Sequence, residues 1–125
     1  MSADCEVVIC DDQEGFRRTV AIVLGLDDGV AVVGEAADGE EAIRLARELQ
    51  PDVLLLDIAM PVMDGLEALP AIREASPDTR VVMLTGLASE AIRERALAAG
   101  ATLFIEKGTD IATLAHAARE VCASG

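Results

Sequence analysis

The sequence predicts an α/β domain: a five-stranded, doubly wound parallel sheet with five helices on both faces. Short apolar runs alternate with longer segments of helical period. The runs are Val7-Val8-Ile9-Cys10, Val30-Ala31-Val32-Val33, Val53-Leu54-Leu55-Leu56, Val81-Val82-Met83-Leu84 and Thr102-Leu103-Phe104-Ile105. Most are continuous rather than alternating, as strands covered on both faces are. The connections are short, so right-handed crossovers wind helices onto both sides of the sheet. Only two residues of 125 are aromatic, and neither is Trp or Tyr. The core is therefore Val, Leu, Ile and Ala, side chains small enough for helices to pack closely on a sheet.

Each helix carries its own signals. The first should run from Gln13 to Leu24 with Phe16, Val20 and Val23 inward. Asp38 and Glu41 are spaced as a capping box before the stripe Ala42, Leu45, Ala46 and Leu49, and Pro51 forces an end. The third helix has the stripe Leu66, Leu69 and Ile72, but Pro70 falls in its second turn. An interior proline costs about 3 kcal/mol through a lost hydrogen bond and a clash, which predicts a kink or a helix regular only after Pro70. Ser89 should cap a fourth helix carrying Ile92, Ala96 and Ala99, with Gly100 as its stop. Thr109 or Asp110 caps the last, whose stripe is Ile111, Leu114, Ala115, Ala118 and Val121. With no linker, internal repeat or low-complexity tract, residues 1–125 read as one domain.

Composition excludes several functions. The formal charge is −13, with no basic run and no interleaving of basic and aromatic residues. Nucleic acid and anionic membrane are both repelled by such a surface, so neither is expected as a direct partner. No apolar run is long enough to span a bilayer, and the N-terminus lacks a signal peptide's basic flank and apolar stretch. Cytoplasmic location is expected. Cys5, Cys10 and Cys122 form no Cys-x-x-Cys pair, and His116 is the only histidine. They read as unpaired thiols in a reducing cytosol rather than a redox or zinc site.

The chemistry lies at the carboxyl ends of the strands, where ligands bind in open α/β sheets. The first strand ends in Asp11-Asp12, the third in Asp57 and the fourth in Thr85, while the fifth leads through Glu106 to Lys107. Three carboxylates packed together raise one another's pKa unless a cation intervenes. Oxygen-only ligands suit a hard ion such as Mg²⁺, with Mn²⁺ as a substitute. Taken singly, each residue has a plainer explanation: Asp12 as a helix cap, Thr85 as a strand-end hydroxyl, Lys107 as a solvated charge and Phe104 as core. Their placement at the ends of one sheet is what groups them.

The set Asp11-Asp12, Asp57 to Gly65, Thr85-Gly86 and Phe104-Ile105-Glu106-Lys107 resembles response-regulator receiver domains over essentially the whole chain. The stretch DIAMPVMDGLEAL and the end of the fifth strand look most like the NarL/FixJ class, whose receivers usually precede a helix-turn-helix domain. The resemblance implies a flavodoxin-like strand order 2-1-3-4-5. It makes Asp57 the acceptor of a phosphoryl group from a sensor histidine kinase. Asp12, Asp57 and the backbone carbonyl of Ala59 would bind Mg²⁺, with Asp11 acting through a water. Thr85 and Lys107 would contact the phosphoryl oxygens, and Thr85 with Phe104 would form the switch. The face of the fourth helix, fifth strand and fifth helix would then engage an output domain or partner protein. Such a domain catalyses only its own phosphorylation and dephosphorylation and is not a turnover enzyme. It would be the front of a longer DNA-binding regulator controlling transcription, with Cys122-Ala123-Ser124-Gly125 as the start of a linker. A stand-alone receiver, a phosphorylation-independent pseudo-receiver and a homodimer all remain open.

Departures from the family pattern carry expectations too. Gly108 stands where many receivers have a proline after the lysine, so a trans bond is expected there, a cis bond before a non-proline costing about 3–4 kcal/mol. Ala59 and Leu87, at the positions that tune hydrolysis, cannot position a water, which predicts a long-lived phosphoryl group. A haloacid-dehalogenase-type phosphatase would need an acid at position 59, which is Ala. A nucleotide-binding module would need a glycine-rich phosphate loop, and the sequence has none.

Overall fold

The computed structural model describes residues 4–86 and 89–123; Leu87, Ser124 and Gly125 lie outside the described residues. Five strands and five helices alternate along the chain: β1 (Cys5–Cys10), α1 (Glu14–Gly25), β2 (Val30–Ala36), α2 (Gly39–Leu49), β3 (Val53–Asp57), α3 (Gly65–Ala75), β4 (Arg80–Thr85), α4 (Glu90–Ala98), β5 (Leu103–Glu106) and α5 (Ile111–Ala123). The sheet is parallel throughout, in the order β2-β1-β3-β4-β5. Every expected run became a strand, with ends differing by a few residues.

Alternation of side chains divides the core in two. Val8, Cys10, Leu54, Leu56, Val81 and Met83 face α2, α3 and α4, while Val7, Ile9, Val53, Leu55, Val82 and Leu84 face α1 and α5. The central strands are thus covered on both sides. The edges are not: β2 is only partly buried, and its register against β1 slips by one residue at Val33, which is 36% exposed.

The helix signals held in most places. Asp38 accepts from the Glu41 N–H, Ser89 from Ile92, and Asp110 rather than Thr109 from Thr113. The reciprocal capping box occurs at α3, between Asp64 and Glu67. That helix starts at Gly65 and continues across Pro70, so it is regular before the proline as well. The cap and the burial of Ala68, Leu69 and Ile72 outweigh the missing hydrogen bond, and Pro70 sits on the exposed side of the helix. In α4 the expected stripe shrinks to Ala96, since Ile92 is half-buried and Ala99 exposed.

The cysteine reading requires correction. Cys5 and Cys122 are joined in a disulfide, with Cα atoms 5.8 Å apart across a sequence separation of 117. Spacing along the chain could not reveal this, because only the fold sets the start of β1 beside the end of α5. Cys10 is a free, fully buried thiol, pushed far above its ordinary pKa by burial and by the charges of Glu41 and Asp11.

Candidate functional site

Two strand ends deliver the three acids. Asp57 closes β3 and is 2% exposed, Asp11 follows β1 and is fully buried, and Asp12 beside it is open to solvent. One carboxylate oxygen from each lies within 4.8 Å of the others. Thr85, buried at the end of β4, and Lys107, after β5, line the same cleft with Gln13, Ala59 and Gly86. The cleft has a volume of about 380 Å³. Every residue assigned to chemistry from the strand ends therefore meets at one edge of the sheet. Phe104 does not: it is half-buried one hollow away, among Ser89, Glu90, Arg93 and Glu106.

The loop after β3 is shaped by its hydrogen bonds. Ile58 donates to the Leu84 carbonyl, and Met60 and Gly65 both donate to Ile58. A side chain at position 65 would collide with the Asp57 carbonyl and come within 3.0 Å of the Ile58 Cα, so only glycine lets α3 begin this close to the strand end. Met63 donates to the Pro61 carbonyl at 2.7 Å around Val62, whose φ is 68°. That is a γ-turn of the strained kind, on a β-branched residue. The sequence carried no sign of it.

Charge organises the interior of the site. Lys107 Nζ lies 2.9 Å from Asp11 Oδ2 and 3.5 Å from Asp57 Oδ2. It also donates to Gln13 Oε1 at 2.7 Å and stands 4.6 Å from the centre of the Phe16 ring. Burial alone would lower the Lys107 pKa, but the hydrogen bond and charge of Asp11, with Asp57, outweigh it and hold the pKa above its ordinary value. Asp57 is pushed up to about 6, first by burial and then by Asp11. Lys107 and the Ala59 N–H oppose that rise. Burial and Asp11 together thus disfavour the charged form of the Asp57 carboxylate.

The donor set fits a hard cation. Three carboxylates converge with no sulfur or imidazole among them, as Mg²⁺ sites require. Asp11 Oδ2 is buried and, apart from its ion pair with Lys107, has no aligned hydrogen-bond donor among the described residues, although Oδ1 accepts from the Gln13 N–H at 2.8 Å. A water on a bound ion would supply the missing donor.

Three contributors escaped the sequence reading as site residues. Gln13 and Phe16 were placed only in the first helix, yet both touch Lys107. Arg17 donates to the Asp11 carbonyl at 2.7 Å and to Glu35 on β2 at 2.8 Å, fixing the turn that carries both acids. Their spacing was the available signal: positions three and four beyond Gln13 share one helix face beside Asp11-Asp12. Lys107-Gly108 is trans, as expected, for no cis peptide occurs among the described residues.

The comparisons with known proteins agree with this arrangement. Residues 7–119 match the family model of the response regulator receiver domain. The response regulator GacA of Pseudomonas viridiflava is 39% identical over 117 residues, covering 94% of this chain and 55% of that protein. The chain thus spans about half the length of the curated relatives it matches. Among solved structures, the NarL signal receiver domain from Mycobacterium tuberculosis superposes with a TM-score of 0.91 at 35% identity, covering 99% of this chain and all of that one. A Burkholderia pseudomallei response regulator, solved with a phosphorylated aspartic acid and a calcium ion, gives 0.80 at 25% identity over 96% of this chain and 69% of that one. Agreement of this extent in sequence and in fold decides the family: the chain belongs to the response regulator receiver domains, in their NarL/FixJ-like branch.

Proposed function

We propose that this domain is the phosphorylation switch of a two-component response regulator, with Asp57 as the acceptor. The observation that carries the reading is the placement of one buried, charge-strained carboxylate within reach of Lys107, Thr85 and two further acids. An Asp57 oxygen attacks the phosphorus of a sensor kinase's phosphohistidine; the P–N bond breaks and its electron pair leaves with the imidazole. Lys107 and the Thr85 hydroxyl then hold the phosphoryl oxygens. Asp12, Asp57 and the Ala59 carbonyl, with Asp11 through a water, would hold Mg²⁺ or Mn²⁺, whose chemistry there is to offset the charge of the transferring group.

Phosphorylation adds nearly two negative charges beside Lys107, enough to draw it away from Asp11 and Gln13. Thr85 moves toward the phosphoryl group, and Phe104, paired with Met83 on β4, turns into the space it leaves. The face of α4, β5 and α5 then changes its affinity for an output domain or partner protein. We place the domain in the cytoplasm, at the front of a longer regulator of transcription. With Ala59 unable to orient a water, the phosphoryl group is long-lived.

Intact mass and peptide mapping after treatment with acetyl phosphate test this. One phosphoryl group should appear on Asp57, only with Mg²⁺, and be absent from Asp57→Asn. No modification, under conditions that label a control receiver, would instead mark a phosphorylation-independent scaffold.

A further inference from the structure

At the opposite end of the sheet from the acids, Cys5 and Cys122 form a second reactive grouping. We propose that it is a reversible thiol–disulfide modification site that clamps the last turn of α5 to the start of β1. The inference rests on the cytoplasmic placement proposed above. Disulfides in reducing compartments are usually transient and redox-sensing rather than permanent staples.

The fold brings the two cysteines together without needing the bond. Cys5 is held by its N–H on the Gly29 carbonyl, and Val121, next to Cys122, is 7% exposed and accepts from Arg80 at 2.7 Å. The resulting Cα separation of 5.8 Å is within the range a disulfide bridges. The reduced pair is therefore poised to close again. Access is unequal: Cys5 is 3% exposed and borders one surface hollow, with Asp27 and Arg119, whereas Cys122 is half-buried and borders both that hollow and a second with Asp52 and Arg80. Cys10, the remaining thiol, is sealed inside the sheet and takes no part.

Oxidised glutathione, or another small disulfide, serves as oxidant. The Cys122 thiolate attacks one of its sulfurs, forming a mixed disulfide and releasing a glutathione thiolate that takes up a proton. The Cys5 thiol then loses its proton and displaces the second glutathione, closing the protein disulfide. Two electrons and two protons pass to glutathione in all, and excess reduced glutathione runs the exchange backward. The bond matters most at the end of α5, because that turn has no basic residue to complement the helix dipole. Beyond it, the turn is held by Arg80 on the Val121 carbonyl and by a 3.7 Å ion pair of Arg119 with Asp27. Since α5 borders the proposed output face, the clamp would set how firmly one side of that face is held.

The test equilibrates the domain in glutathione buffers of graded ratio, traps thiols with N-ethylmaleimide and reads intact mass, with hydrogen exchange and thermal melting on both end states. The native protein should pass from two alkylated thiols to none as the buffer becomes oxidising, with Cys10 unlabelled throughout. The oxidised form should melt about 10 °C higher, as closure of a very long loop predicts. Amides in the last turn of α5 should exchange at least tenfold faster once reduced. Cys122→Ser, and independently Cys5→Ala, should behave as the reduced form at every ratio. Thiols that stay fully labelled, a bond that opens only on unfolding, or melting unchanged between the two states would each overturn the proposal. Acetyl phosphate labelling of Asp57 in both states is read separately, so a failure of the receiver reading would not be mistaken for a failure of the clamp.

Discussion

β3 and the α4–β5 side of the domain are built to different standards. Every residue of β3 is buried, ending in Asp57, and the helix that follows it buries Gly65, Ala68, Leu69 and Ile72. Across the sheet, no residue of β5 is fully buried, and α4 buries only Ala96. Local stability follows buried apolar contact, so the proposed acceptor sits on the rigid part of the molecule and the proposed responding surface on the weakly anchored part. A switch needs that division. Phosphoryl geometry depends on fixed strand ends, while a few kcal/mol of new interaction must suffice to repack the face that answers.

The sharpest way to break the comparison is to remove matched apolar groups from the two regions. Leu55→Ala should cost about 3 kcal/mol, because its fully buried site leaves a cavity. Chemical denaturation reads this directly, and a cost near that of a surface change would show that β3 is not the rigid element.

The second change acts on charge rather than packing. The folded pKa of Asp57, about 6, lies above the ordinary 3.8. Between these values the folded state holds a proton that the unfolded state has released, so stability falls as pH rises through that window and stays lower above it. Asp57→Asn removes the penalty. Without metal, the variant should be more stable than the native domain by about 2–3 kcal/mol at pH 7, with the gap closing near pH 4. Millimolar Mg²⁺ should narrow the gap at pH 7 by binding the native acid set more tightly. A pH-independent difference between the two proteins would contradict the burial argument.

Val62 offers a smaller effect, in the loop that joins β3 to α3 within the rigid region. Asn tolerates a φ of 68° better than a β-branched side chain, and Val62 is 74% exposed. Val62→Asn should therefore raise stability by about 0.5–1 kcal/mol, seen as a modest gain in melting temperature. Smallest of all, Ile92→Ala on α4 should cost under about 1 kcal/mol, since its side chain is only half-buried. A cost equal to that of Leu55→Ala would erase the contrast.

Much of this is legible in the sequence alone, for identifiable reasons. Continuous apolar runs marked the strands because they are covered on both faces, and reading their carboxyl ends brought Asp11, Asp12, Asp57, Thr85 and Lys107 together. What escaped depended on contacts between elements. Arg17 and Gln13 look like ordinary helix-start residues until α1 is docked on β1 and β2 and Lys107 reaches Gln13 from the loop after β5. The Cys5–Cys122 bond joins the first strand to the last helix, a proximity that no local pattern encodes. Pro70 misled in the other direction, because a capped and well-packed helix tolerates a proline on its exposed side.

The most direct test of the account is hydrogen exchange of the domain before and after stoichiometric phosphorylation with Mg²⁺. Amides of α4 and β5, residues 89–106, should change their protection strongly while those of β1 and β3 keep theirs, with the effect absent in Asp57→Asn. Full phosphorylation that leaves residues 89–106 unchanged, or that loosens β3 as much as α4, would contradict the division between a rigid acceptor frame and a responsive face.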